Sequence, residues 1–124
     1  MPVRYERDDA RRRVVITAQG AFQTSDMLEA IERQRAEDTW SYGMLYDLRG
    51  MTGHPTLANL REMMGHAASR PAEQPRGPVA IVATDPILYD VACTYAALGR
   101  SRLRIQVCSD LNEADLWLAD ETRP

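Results

Sequence analysis

Five consecutive apolar residues, Val79-Ala80-Ile81-Val82-Ala83, stand between Gly77-Pro78 and Asp85-Pro86. A strand that is apolar at every position has no wet face, so it belongs inside a sheet covered on both sides. Asp85 and Pro86 then open a helix. The carboxylate accepts an orphan N–H of the first turn, and proline suits the first helical position. Ile87, Leu88, Val91, Ala92, Tyr95 and Leu98 keep the helical period, and Gly99 ends it. A buried strand feeding an amphipathic helix is half of a βαβ unit, and that points to a parallel α/β sheet.

The rest of the chain fits this unit. Val3 and Tyr5 alternate with Arg4 and Glu6, Asp8-Asp9-Ala10 supplies a turn, and Arg13 to Ala18 is β-branched, so residues 1–20 read as a hairpin. Thr24 to Asp38 reads as a helix with Met27, Leu28 and Ile31 on one side. Thr24 or Ser25 is its expected cap, and Glu29–Arg33 and Arg33–Glu37 are spaced for ion pairs. Gly43 to Leu48 reads as a strand and Arg49 to Pro55 as a loop broken by Gly50, Gly53 and Pro55. Thr56 to Ser69 reads as a helix with Leu57, Leu60 and Met64 on one face, and Arg70 to Pro78 as a surface loop. Leu103 to Val107 alternates, as an edge strand does. Asp110 opens a last helix with Ala114, Trp117 and Leu118 on its stripe, ahead of a frayed tail from Asp120. The expected order is β-β-α-β-α-β-α-β-α: a mixed sheet of five strands with four helices and an N-terminal hairpin, in one domain spanning residues 1–124.

Composition narrows function more than fold. The formal net charge is −3, which offers no electrostatic footprint for nucleic acid or an anionic membrane. The arginine runs at Arg11-Arg12-Arg13 and Arg100/Arg102/Arg104 are expected on solvent faces. Cys93 and Cys108 have no zinc-like spacing and fall in apolar patterns, so both are expected as buried thiols. With no signal-peptide core at the N-terminus and no window apolar enough to span a bilayer, a reducing, cytoplasmic setting is expected. The hairpin and the Leu103–Val107 strand leave sheet edges through which a homodimer could form.

Leu45-Tyr46-Asp47-Leu48-Arg49, the block Arg76 to Ala83, Tyr89, Ile105-Gln106-Val107 and Glu113 to Leu118 together resemble the STAS-type superfamily, in particular its small bacterial SpoIIAA-like members. The resemblance covers most of the chain from Gly20 onward. It implies a helix-covered sheet and a regulatory role through a protein partner, as in anti-sigma-factor antagonists. Those proteins carry a phosphorylatable serine in an Asp-Ser-Ser-Gly motif at the start of the second helix. The matching segment here is Gly53-His54-Pro55-Thr56-Leu57, with Thr56 in the serine's place and the aspartate and glycine absent. Thr56 therefore has two readings, phospho-acceptor or plain helix cap. The superfamily also includes lipid-carrier-like members larger than this chain.

No catalytic constellation is legible. His54 and His66 lack ligand-spaced partners, and the glycines form no nucleotide-binding loop, so no cofactor or metal is expected. Asp85 and Asp110 are explained as helix caps, which leaves Asp47 as the polar residue without a ready structural role. Two functional expectations follow. One is a protein-interaction surface around Arg49, Gly50, Thr56 and Leu57. The other is a small-ligand binder or an enzyme, with a pocket at the strand C-termini lined by Asp47, Arg49, Thr84 and Ser109.

Overall fold

The computed structural model describes residues 3–21, 23–67, 76–100 and 103–122. Its elements are β1 (Val3–Asp8), β2 (Arg13–Ala21), α1 (Thr24–Ala36), β3 (Gly43–Thr52), α2 (Leu57–Ala67), β4 (Val79–Val82), α3 (Pro86–Gly99), β5 (Ile105–Cys108) and α4 (Leu111–Glu121). The expected hairpin start at Met1, the helix end at Ser69, the loop from Arg70 to Pro75, Arg102 and the last two residues of the tail lie outside the described residues.

The turn after β1 closes with Arg11 N donating to Asp8 Oδ1 (3.1 Å) and Arg12 in the left-handed region (φ 51°). β1 then pairs antiparallel with β2, and β2 to β5 run parallel in the order β1-β2-β3-β4-β5. Each parallel step adds a strand on the same side, so the right-handed crossovers α1, α2 and α3 all fall on one face. The strand period sorts the side chains accordingly. Val14, Ile16, Met44, Tyr46, Val79 and Ile81 pack under those helices. Leu45, Ala80, Val82 and Cys108 face the other way, against Ala114 and Leu118 of α4. β4 is buried at all four positions, as its composition requires.

Several expectations need correction. β3 does not stop at Leu48: it continues to Thr52, pairing Gly50–Thr52 with Gln19–Ala21 beyond an irregularity at Thr17/Gln19. Gly50 is not a breaker there. A side chain at that position would press on Gln19 Cγ at 3.1 Å, so glycine allows the two strands to close after the bulge. The cap of α1 is Gln23, which makes no side-chain capping bond, and Thr24 and Ser25 are already helical. Arg33 pairs with Glu37 at 2.9 Å. Arg13 is not on a solvent face: its guanidinium is buried against α4 and bonds Asp115 Oδ1 at 2.8 Å. α4 stays helical to Glu121, with Thr122 Oγ1 donating to the Leu118 carbonyl at 2.7 Å, so the expected fraying does not begin at Asp120.

Gly99 earns its place by packing. A side chain there would collide with the Met64 thioether, so the glycine lets α3 close on α2. Asp85 and Asp110 do act as caps, accepting from Leu88 N (2.9 Å) and Glu113 N (2.8 Å).

Candidate functional site

The parallel topology collects the C-terminal ends of β3, β4 and β5, and the loops that follow them, at one end of the sheet. α2 and α3 both start from this end. At α2 the cap is reciprocal. Thr56 Oγ1 accepts from Asn59 N at 3.1 Å, and Asn59 Oδ1 accepts from Thr56 N at 3.0 Å. This is a capping box with asparagine in the glutamate's place, and it holds Thr56 exposed at the head of the helix. The first turn of α2 carries no acidic residue. Added negative charge at Thr56 would therefore meet only the positive end of the helix.

Beside it, Leu57 is 49 % exposed and Ile87, in the first turn of α3, is 60 % exposed. Each is a large aliphatic side chain left in water while its sequence neighbours go inward: Leu60 is 4 % and Leu88 2 % exposed. Arg49 and Gly50 are also exposed, on the end of β3. His54, in the same loop, is exposed and its Nδ1 lies 3.2 Å from the Pro55 carbonyl.

Asp47 acquires a structural role. Its carboxylate accepts from Arg49 Nε (2.9 Å), Nη2 (3.0 Å) and backbone N (3.2 Å). These bonds hold its pKa below the usual carboxylate range, the Arg49 side chain being the main cause against opposing burial. The pair is self-neutralising. Thr84 and Ser109 stand exposed after β4 and β5. Among the four residues expected to line a polar pocket, the contact found is that between Asp47 and Arg49.

A cavity does lie elsewhere among the described residues, between the sheet and α1, α2 and α3. It measures about 50 Å³ and is partly open. Tyr46, Leu48 and Ile81 floor it, Met27, Met63 and Tyr95 wall it, and Met51 and Pro55 of the loop before α2 reach into it. Its lining is apolar, and sequence reading did not find it. Met51 and Met63 are, by sequence, ordinary packing residues, and what makes a cavity is the volume that three helices fail to fill.

The cysteines part company. Cys108 is buried under α4, and burial pushes its thiol up to about 11. Cys93 is exposed on the outer side of α3, contrary to expectation, because the buried stripe runs through Leu88 and Ala92 instead. Among the described residues, no helix is long and apolar enough to cross a membrane.

No protein-family model matches this chain, and no curated protein sequence matches it. Among solved structures it is similar to the crystal structure of an anti-sigma factor antagonist from Mycobacterium paratuberculosis. The two share 14 % identity over 94 % of this chain and 92 % of the other, with a TM-score of 0.64. At that identity the likeness is one of fold. The chain has the STAS-type fold: a five-stranded mixed sheet, four helices and an N-terminal hairpin.

Proposed function

We propose that this chain is a regulatory protein-interaction module whose contact surface is the C-terminal end of the sheet, around Arg49, Gly50, Thr56 and Leu57, with Ile87 added. The observation that carries it is the pair of exposed aliphatics at the heads of α2 and α3. Leaving them about half in water forgoes further burial worth roughly 1–1.5 kcal/mol each, so a partner that covers them gains that contact. Charged and polar groups at Arg49 and Thr56 give the surface a polar margin, the usual arrangement of a protein interface. The structural neighbour, an anti-sigma factor antagonist, supports a protein as the partner.

Thr56 is the proposed point of control. A phosphate there would keep an acceptor oxygen facing Asn59 N while placing charge beside Leu57, and so would alter the surface without unwinding the helix. The test has two parts. Intact-mass analysis of the protein from its native cells should show a phosphate that maps to Thr56. Affinity capture with Leu57→Asp and Ile87→Asp should lose the proteins retained by wild type, at unchanged melting temperature. Retention of the same proteins by both variants would show that this surface is the wrong one.

A further inference from the structure

The cavity under α1, α2 and α3 has a wall of one chemistry. Its aliphatic and methionine side chains bring no hydrogen-bond donor, and its two tyrosines turn ring carbons toward it, so the wall presents no polar surface. The Tyr46 oxygen is engaged elsewhere, accepting from Arg76 Nη2 at 3.4 Å. A water held inside a protein needs roughly two to four polar partners. This wall offers none, so it favours an occupant that asks for no hydrogen bond.

The cavity is also reachable and adaptable. Most of its lining is buried, Leu60, Leu88 and Ala92 included, whereas Met51, Val91 and Tyr95 keep part of their surface in water. The way in therefore runs between the end of β3 and α3. Met27 of α1, Met51 of β3 and Met63 of α2 meet around the space from three separate elements. Their unbranched thioether side chains adjust to a guest at little cost.

We propose that this cavity binds a small neutral hydrocarbon, seated among Met27, Met63, Leu60 and Ala92 and entering past Met51. Size sets the scale of the guest. The cavity measures about 50 Å³, against roughly 150 Å³ for an apolar cavity that takes benzene, so the occupant has about three or four carbons. Contact supplies the affinity, because atoms lining a void lack dispersion partners that a guest restores. The same wall supplies the selectivity, since a polar or charged group entering it leaves its water partners and meets no replacement. None of this rests on the interaction surface proposed above.

The test is NMR titration of the full chain with propane and, separately, with dimethyl ether, which has nearly the same shape and one oxygen. Propane should give saturable shifts centred on the methyl groups of Met27, Met51 and Met63. Dimethyl ether should bind at least about tenfold more weakly, as expected for an acceptor buried without a donor. Ala92→Leu, at a buried lining position, should abolish propane binding by filling the space. Met63→Ala enlarges the same space and should favour benzene over propane, reversing the wild-type order, and it tests the site even where the leucine overpacks the fold. Equal binding of the ether, no saturable shifts, or shifts centred on the exposed Leu98 and Leu116 instead would overturn the proposal. So would unchanged propane affinity in a folded Ala92→Leu, or an unreversed order in Met63→Ala.

Discussion

The two faces of the sheet solve the same problem differently. One helix, α4, covers its face with fully buried side chains, the small Ala114 and the larger Leu118 at 0 % exposure, on the small Ala80 with Val82 and Cys108. Three helices cover the other face with larger and softer ones, Met27, Met63 and Tyr95 among them, laid over Tyr46 of β3, and leave a cavity. Small side chains allow a helix to approach the sheet closely, and close approach excludes voids. Three helices that must also pack on one another cannot all approach closely, and flexible methionines fill the remainder imperfectly. The lesson is that the tight face carries stability and the loose face leaves a void.

The largest expected effect tests that division directly. Leu118→Ala should cost about 3–4 kcal/mol in chemical denaturation, near the upper part of the range for leucine truncations, because a single helix cannot collapse into the gap. Met63→Ala, beside an existing cavity, should cost about 2 kcal/mol. Equal costs would break the contrast between the faces.

The buried ion pair under α4 comes next. Asp115→Ala strands the Arg13 guanidinium at 7 % side-chain exposure and should cost about 2 kcal/mol, discounted from a fully buried pair because Asp115 is half exposed. Arg13→Met leaves Asp115 in water and should cost less. A reversed order would show that solvent, and not Asp115, satisfies the guanidinium.

A smaller effect belongs to pH. The folded pKa of Asp47 lies below its unfolded value, so the unfolded chain takes up the proton first as pH falls. The Asp47–Arg49 contribution is therefore complete above the unfolded carboxylate pKa and disappears as pH falls through the folded one. With Arg49 partly exposed it should amount to no more than about 1 kcal/mol. Denaturation of wild type and Asp47→Asn at neutral and acid pH should show a difference that closes on acidification. A constant difference would mean that the charge of Asp47 is not what stabilises.

The cysteines sharpen the comparison without touching stability. A thiol reagent should modify Cys93 quickly in the native protein and Cys108 only on unfolding. Rapid modification of both would mean that α4 opens far more readily than its packing suggests.

What the sequence determined by itself was whatever short-range chemistry decides. The all-apolar run at Val79 had to be an inner strand because nothing in it tolerates water. Asp85-Pro86 and Asp110 had to open helices, since capping involves residues three apart. Thr56 was legible as a cap for the same reason, although the reciprocal Asn59 bond was not foreseen. Element order then fixed the parallel sheet through the handedness of its crossovers. The sequence could not say which of two adjacent apolar residues turns inward, so Ile87 reads with Leu88 as one apolar stripe until the helix has its final rotation, although Leu57 was expected at the surface. Gly50 read as a breaker because the strand it meets, at Gln19, lies thirty-one positions away. Arg13 read as solvated because Asp115 is a hundred and two positions distant. The cavity, and the hydrogen bonds from Arg76 to Gln34 and Tyr46, belong to tertiary structure alone. A void is the volume that distant side chains fail to fill, and that property does not exist in a linear order of residues.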